Sequence, residues 1–246
     1  MKDPYFRIAP FYNAIMGHVD YLSWSNYVED IVVEYSIPTE FSLELAAGTG
    51  TLGSLLNPDV VKNCIHSDLS QPMLGQMPAS LSAVAMDMKH IAVRKQSLSF
   101  LFNLYDSFNY LLREVDLTQH LESVWTALKP GGFYLFDVIT ESMCLDYFDD
   151  VIDFQSEENV DVVRESFFDE ASQIQTNRFR YYLRQENDLY QKLEDEHTQR
   201  VWAVETLERK VCEKGFRVVG LFRDFTMERN LEGATRVNFL LQKPVS

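Results

Sequence analysis

Apolar residues recur along the first part of the chain with two different spacings. From Trp24 to Tyr35 they lie three or four positions apart, which predicts an amphipathic helix with Ser23 as its N-cap and Pro38 beyond its end. Short apolar runs follow, and such runs are typical of strands buried in a sheet. The runs predicted as strands are FSLELA (41–46), NCIHSD (63–68), SAVAMD (82–87), LSFLFNLYD (98–106) and FYLFDV (133–138).

Helical segments alternate with these strands. TLGSLL begins one helix directly after the first strand, and a second runs from Leu117 to Leu128, where KPGG is predicted as a turn. Strands that alternate with helices up to residue 138 predict a parallel, doubly wound α/β sheet.

The pattern changes beyond residue 138. Three strand-like runs are separated by the turn-like segments ASQ and END, which predicts an antiparallel meander. These runs are VVRESFFDE (162–170), IQTNRFRYYLRQ (174–185) and YQKLEDEHTQRVW (190–202). Helical spacing returns at Val204, Leu207 and Val211, with Gly215 as the predicted end, and FRVVGLFRDFT and TRVNFLLQK predict a closing strand pair.

This pattern divides the chain into three parts. We predict a core with an N-terminal helical cover over residues 1–150, an antiparallel insertion over 151–202 and a core-completing segment over 203–246. The length of 246 residues suits one α/β domain with such an insertion. The N-terminus lacks the pattern of a signal peptide and no apolar run is long enough for a membrane span, so we expect a cytoplasmic protein with three reduced cysteines.

The net charge of −15 and the isoelectric point near 4.7 bear on possible partners. Binding to a phosphate backbone requires a cationic surface, so this charge disfavours nucleic acid without excluding a local basic groove. The charge block that stands out is acidic, and such a run is typical of a solvated loop. Its residues are Asp146, Asp149, Asp150, Asp153, Glu157, Glu158 and Asp161.

The segment LELAAGTGTLG (43–53) carries two overlapping motifs. G-x-G-x-x-G at Gly48, Gly50 and Gly53 is the pattern of dinucleotide binding, in which a helix N-terminus faces a pyrophosphate. E-x-A-x-G-x-G, beginning at Glu44, is the pattern of a loop that binds S-adenosylmethionine. Glu44 suits the amine and sulfonium of that ligand better than a pyrophosphate, and Gly53 can serve close helix packing instead.

Two acids follow at the ends of later strands. Asp68 comes 18 residues after Gly50, close to the ~20 residues expected for a ribose-binding acid in either class. Asp87 ends the third strand and can accept a hydrogen bond from an adenine amino group, which favours the methyl donor. Both acids can equally be strand-end or helix-capping residues.

Five segments in succession decide between the two ligands. LELAAGTG, DLSQPML, MDM, LYDSFNYL and LKPGGFYLFDV resemble, in this order, the motifs of class I S-adenosylmethionine-dependent methyltransferases. EDEHTQRVW followed by EKGF is similar to a bacterial subgroup of small-molecule-type enzymes with an antiparallel insertion before the last helix. The resemblance covers nearly the whole chain, including FYNAIM. It implies a Rossmann-like, doubly wound α/β sheet of seven strands with an antiparallel last strand, plus a small antiparallel β insertion.

The resemblance also implies the residues that bind S-adenosyl-L-methionine. The glycine loop would hold the methionine part, Asp68 the ribose hydroxyls, and the segment at Asp87 the adenine edge, while Tyr12 would close over the ligand. The implied cofactor-binding residues are Tyr12, Glu44, Ala46, Gly48, Thr49, Gly50, Asp68, Leu69, Met73, Asp87, Met88 and Leu104. Turn formation by the glycines and plain packing by Met73 and Tyr12 are the alternatives.

This chain departs from the family pattern at three places. Ala46 stands where glycine is common, and Ser99 stands where the fourth strand usually has an acid. The segment between Met73 and Val84 is short for a full helix, which predicts a more open adenine side.

The bacterial subgroup carries a pattern E-x-H-x-x-R, whose counterpart here is Glu194 or Glu196 with His197 and Arg200, and the resemblance implies that the acceptor side lies there. His197 and Arg200 would bind the acceptor, and His197 is also the candidate general base, because imidazole titrates near neutral pH. A surface or hydrogen-bonded histidine is the alternative. Arg178, Arg180, Tyr182 and Arg184 share one strand face, which predicts a solvated face, with recognition of an anionic substrate as the alternative. The other histidines do not cluster at metal-ligand spacing, so we predict no metal site.

The sequence therefore predicts a methyltransferase that acts on a small molecule by in-line displacement. A methyltransferase for RNA or protein is the first alternative, and it would need a basic face or an added recognition domain. An NAD-dependent oxidoreductase with the same glycine loop is the second. The acceptor, its methylated atom and the oligomeric state are left open.

Overall fold

The computed structural model describes residue 3, residues 5–186 and residues 189–245. The helices are α1 (Tyr12–Ile15), α2 (Tyr21–Glu34), α3 (Thr51–Leu55), α4 (Gln71–Leu74), α5 (Glu114–Ala127), α6 (Glu141–Tyr147) and α7 (Val204–Lys214). The strands are β1 (Ser42–Leu45), β2 (Cys64–Asp68), β3 (Ser82–Ala85), β4 (Leu98–Asn103), β5 (Leu128–Ile139), β6 (Val151–Ser156), β7 (Val160–Asp169), β8 (Ile174–Arg184), β9 (Tyr190–Arg200), β10 (Arg217–Arg223) and β11 (Arg236–Gln242). Where the structure is described on both sides, 3₁₀ turns cover Ala9–Phe11 and Ser107–Tyr110.

The main sheet has seven strands in the order β10-β11-β5-β4-β1-β2-β3. The strands from β1 to β5 pair in parallel, whereas β11 runs antiparallel to both β5 and β10. The predicted Rossmann-like sheet with an antiparallel last strand is therefore confirmed. All parallel strands place their carboxyl ends at one edge, which we call the carboxyl edge.

Helices cover both faces of this sheet. On one face α5 and α7 contribute buried residues such as Leu117, Leu121 and Leu207, and on the other α2 contributes Val28 and Ile31. Every residue of β4 is buried, as expected for a central strand that is packed on both sides.

The insertion is a second sheet, with strand order β6-β7-β8-β9 and antiparallel pairing throughout. The predicted meander is confirmed, but it has four strands instead of three. The acidic run was predicted as a solvated loop, but it extends from the end of α6 through β6 to the start of β7. In the predicted END turn, Asn187 and Asp188 lie outside the described residues.

One face of the insertion sheet, which we call the inner face, packs on the rest of the protein. Its distal half, with Val162, Tyr181 and Leu193, forms an apolar cluster with Ile8 and Ile15 of the N-terminal segment.

The end of the insertion sheet that lies near the main sheet is hydrogen-bonded to the loop after β4. There the Asn109 amide donates to the Arg200 carbonyl over 2.8 Å, and the Trp202 indole N–H donates to the Leu111 carbonyl over 3.0 Å. The insertion thus stands over the carboxyl edge.

The structure corrects two local predictions and adds one helix. The N-cap of α2 is Asp20, whose carboxylate accepts from the Ser23 amide over 3.0 Å, so Ser23 lies inside the helix. The KPGG segment belongs to β5, and the Gly131 amide bonds the Lys243 carbonyl, so it does not form a free turn. Helix α6 was not predicted. Within the described ranges, none of the helices has the length and apolarity required to cross a bilayer.

Candidate active site

The glycine loop between β1 and α3 has a left-handed backbone. Ala46, Gly48 and Gly50 have φ values of 53°, 59° and 75°. A Cβ atom on Gly50 would lie 2.5 Å from the Met77 side chain and 2.9 Å from Leu81, so the position requires glycine for space as well as for its backbone. Ala46 adopts the conformation that favours the glycine common at this position.

Behind the loop, the Glu44 carboxylate is buried against His66, with 2.6 Å between Oε2 and Nδ1. Burial raises the pKa of Glu44, and the contact with His66 opposes that shift. A Cβ on Gly53 would lie only 2.4 Å from His66 Cε1. The close-packing role considered for Gly53 is therefore confirmed, since α3 could not approach β2 with a larger residue.

Asp68, at the end of β2, links two loops at the carboxyl edge. Its carboxylate accepts hydrogen bonds from the amides of Gly48 and Ser70, each over 2.8 Å. Burial raises the pKa of Asp68, and these amide donors oppose the shift. Leu69 beside it is 69% exposed, whereas Met73 is buried beneath Gly48. The predicted ribose-binding acid therefore lies next to the glycine loop at the carboxyl edge.

The segment after β3 holds Asp87 and Met88. Asp87 accepts from the Lys89 amide over 2.9 Å, and the Met88 carbonyl accepts from Nδ1 of His120 over 2.9 Å. Burial lowers the pKa of His120 to about 4, so the ring is neutral at pH 7. Helix α4 has only four residues and β3 is exposed along its length, which agrees with the open side predicted there.

The N-terminal segment is fastened to these loops. Thr49 of the glycine loop donates to the Asn13 side chain over 2.5 Å, and Ser70 donates to Asp3 over 2.7 Å. Tyr12, next to Asn13, packs edge-on against Tyr5, with 5.8 Å between ring centroids. Leu104, the remaining predicted residue, is buried directly after β4.

His197 lies on the inner face of the insertion sheet and is 5% exposed. Its Nδ1 is 2.8 Å from the Tyr110 hydroxyl, which is 2.9 Å from that of Tyr5. Burial lowers the pKa of His197 to about 4. Its Nε2 has no hydrogen-bond partner among the described residues. The ring is thus held as a neutral imidazole with one nitrogen available.

Arg200 lies three positions further along β9, so strand alternation turns it to the opposite face. Its guanidinium is stacked 4.2 Å from the Trp202 ring and donates to the Leu112 carbonyl over 3.1 Å. These contacts give Arg200 a structural role at the joint between insertion and core, and the structure does not bring it together with His197.

The strand that carries Arg178, Arg180 and Arg184 turns them to the outer face, opposite His197. Arg178 bonds Glu196 over 2.8 Å, and Arg180 bonds both carboxylate oxygens of Glu165 over 2.8 and 2.9 Å.

A buried ion cluster at the carboxyl edge was not predicted from the sequence. Arg236 bonds Asp137 at the end of β5 and also Asp106, which follows β4, over 2.9 Å to the latter. Gln199 of the inner face donates to Asp106 as well. Burial raises the pKa of Asp137 against the opposing effect of Arg236. The sequence signal for this cluster was the position of Asp106 and Asp137 at the carboxyl ends of two neighbouring parallel strands.

Comparison with known proteins places these features in a class. No family model matches the chain. YqeM of Bacillus subtilis (strain 168), provisionally named a methyltransferase, is 27% identical over 248 residues, which cover 97% of each chain. A Geobacillus protein with the same provisional name is 24% identical and covers 97% of this chain and 99% of its own.

Solved structures share the fold. A S-adenosylmethionine-dependent methyltransferase from Clostridium acetobutylicum superposes with a TM-score of 0.82 at 22% identity, covering 98% of this chain and 100% of its own. The sugar N-methyltransferase KedS8 from Streptoalloteichus reaches 0.78 at 15% identity, covering 99% and 96%. The two curated relatives, both provisionally named methyltransferases, bear out the predicted class of enzyme, and the solved structures bear out its fold.

Proposed function

We propose that this protein transfers the methyl group of S-adenosylmethionine to a small-molecule acceptor. One observation carries the proposal: the left-handed glycine loop and the Asp68 carboxylate meet at the carboxyl edge, and the insertion sheet stands over that same edge. Donor and acceptor would then lie on two sides of one crevice. The sugar N-methyltransferase KedS8, similar in fold, supports a small acceptor.

On the donor side, the loop residues Glu44, Ala46, Gly48, Thr49 and Gly50 would surround the methionine part. Asp68, whose carboxylate accepts from the amides of Gly48 and Ser70, would bind the ribose hydroxyls with its remaining lone pairs. The adenine would lie between Leu69, Met73 and the segment at Asp87 and Met88. Tyr12 and Leu104 would complete the pocket.

On the acceptor side, we assign the insertion of residues 151–202 as the substrate wall, between the core of 1–150 and the segment 203–246. His197 is the acceptor-binding group and the candidate base. Arg200 is a further proposed acceptor contact, in addition to its stacking on Trp202 and its hydrogen bond to the Leu112 carbonyl.

Bound S-adenosylmethionine supplies a methyl group that is already activated by the sulfonium. The task of the protein is therefore to align the acceptor with that group and to exclude water. A neutral His197 can accept a hydrogen bond from an N–H or O–H of the acceptor at Nε2. It would take up a proton only if the acceptor atom arrives protonated.

Isothermal titration with S-adenosylmethionine and, separately, with NAD tests the proposal. We expect saturable binding of the methyl donor and none of NAD. Binding of NAD alone would establish the oxidoreductase alternative. Methyl transfer to RNA or protein, but to no small molecule, would establish the macromolecular one.

A further inference from the structure

The inner face of the insertion sheet carries a group of uncharged polar side chains that the donor site does not use. All five are at least 92% buried, and they come from three neighbouring strands. They are Ser166 of β7, Gln175 and Asn177 of β8, and His197 and Gln199 of β9. We call this group the polar patch.

Strand register places the patch in two adjacent rows. Ser166, Asn177 and His197 lie opposite one another, and Gln175 lies opposite Gln199. Ser166 donates to the Asn177 side chain over 2.6 Å. Diagonal neighbours such as Gln175 and His197 are roughly 7–8 Å apart at Cα, within bridging distance of one small ligand.

Two atoms of the patch lack partners. Within the described part of the chain, neither Gln175 Oε1 nor His197 Nε2 has a hydrogen-bond partner, although both are buried. Buried polar atoms are nearly always bonded, so unpartnered atoms on diagonal neighbours indicate a place for ligand groups. An amide oxygen only accepts, whereas an imidazole nitrogen donates or accepts. A hydroxyl group can satisfy both.

The surroundings indicate which ligand the patch suits. The ring centroids of Tyr5 and Phe179 lie 4.9 and 5.3 Å from that of His197, forming apolar walls. The neighbouring row contains Asp195, and Arg164 in the same row is bonded to Asp153. An anionic ligand would therefore meet a carboxylate beside a cation that already has a partner.

The patch is connected to the carboxyl edge. Gln199 donates to Asp106 after β4, and His197 bonds Tyr110 of the turn that follows. A molecule on the patch would therefore lie beside the loop that follows the central strand, where the methyl group is expected.

We propose that the polar patch binds the acceptor and that the acceptor is an uncharged, hydroxyl-rich small molecule such as a sugar or polyol. Gln175 Oε1 and His197 Nε2 bind its hydroxyl groups, and Tyr110 and Tyr5 are positioning residues that hold the imidazole. This inference rests on the proposed function and specifies its substrate class.

Saturation-transfer NMR on the full-length protein with S-adenosylhomocysteine tests this assignment. The probes are uncharged methyl glycosides and the corresponding uronates at equal concentration. We expect transfer to the glycosides to exceed that to the uronates several-fold. Gln175→Leu and His197→Phe replace the polar side chains by apolar ones of similar size, and each should reduce the transfer to glycosides at least fivefold. Thr176→Val, on the outer face beside Gln175, is the matched control.

A second measurement needs no substitution. The imidazole ¹⁵N signals of His197 should shift when a glycoside is added to wild-type protein. Equal transfer to glycosides and uronates, equal loss in Thr176→Val, or an unmoved His197 signal would overturn the assignment. A titration with S-adenosylmethionine separates the two proposals: donor binding without glycoside binding defeats this one alone, and no donor binding defeats the proposed function.

Discussion

At the scale of single residues, Asp68 joins the glycine loop to the loop after β2 through its two amide donors. We predict that Asp68→Ala lowers the affinity for S-adenosylmethionine by about tenfold to a hundredfold, because a charge-assisted hydrogen bond to a ribose hydroxyl contributes about 1.5–3 kcal/mol. Isothermal titration measures the effect. Asp59→Ala, an exposed acid after α3, is the control. Unchanged affinity in a folded Asp68→Ala protein would remove Asp68 from the site.

Two buried histidines connect stability to pH. The pKa values of His120 and His197 are both lowered to about 4 by burial, whereas an unfolded histidine titrates near 6.5. Between these pH values the unfolded chain binds more protons than the folded chain. The stability that the two neutral histidines contribute is therefore fully present above about pH 6.5 and is lost as the pH falls toward 4. Each histidine should lower the free energy of unfolding by about 2 kcal/mol at pH 5 relative to neutral pH.

Urea unfolding at pH 7 and pH 5 measures this loss. We expect His197→Gln to lose less stability than wild type over that interval, because it removes one of the two groups. His90→Gln, at an exposed histidine, should follow wild type. Equal losses in all three proteins would mean that His197 is not held neutral.

Sequence could identify residues whose role follows from a local pattern. Asp68 and the loop glycines are predictable from their spacing along one strand–helix–strand unit, from β1 through α3 to β2. Asp106 and Arg236 were missed because they meet across 130 positions of the chain. The same applies to Tyr5 and Tyr110, whose contact with His197 depends on how three separate segments pack. The donor and acceptor roles of all these residues remain predictions.

At the scale of elements, hydrophobic periodicity predicts those helices and strands whose apolar residues face the core. Strand β6 breaks this rule, since Ile152 and Phe154 are 71% and 68% exposed. Its apolar residues therefore gave no signal of a buried face, and the surrounding acids indicated a loop. Segment KPGG was predicted as a turn because of its proline and glycines, but pairing with neighbouring strands incorporates it into β5.

Helix α3 depends on one glycine for its position. We predict that Gly53→Ala destabilises the protein by about 1–3 kcal/mol, because the added methyl group would overlap the His66 ring. Urea denaturation measures this change. Ser54→Ala, exposed on the same helix, should alter stability little. If Gly53→Ala is as stable as Ser54→Ala, then a methyl group fits between α3 and β2 and the steric argument is wrong.

At the scale of the whole molecule, the order of the seven strands followed from the resemblance and could not be obtained from periodicity alone. The meander was visible as alternating runs, yet nothing in those runs says where the second sheet packs. That position depends on contacts such as Trp202 with Leu111 and Asn109 with Arg200, which join distant segments. The three-part division of the chain likewise stays a prediction.

The charge of the whole molecule leads to the last prediction. At −15 the protein repels phosphate backbones, and the arginines that could form a cationic groove, Arg178 and Arg180, are bonded to Glu196 and Glu165. We expect no binding to tRNA in the ~1–100 μM range of non-specific nucleic-acid binders at physiological salt. Fluorescence anisotropy with labelled tRNA measures it.

A matched variant makes this prediction sharper. Glu165→Gln with Glu196→Gln removes the charged partner of Arg178 and the bidentate partner of Arg180, and it lowers the negative charge by two. If this face attracts tRNA at all, the double variant should bind it more tightly than wild type, and added salt should weaken that binding. Micromolar, salt-sensitive binding by the wild type itself would contradict the prediction. If Arg178→Ala with Arg180→Ala then abolished that binding, the outer face of the insertion would be a nucleic-acid surface, and RNA would replace a small molecule as the acceptor to test.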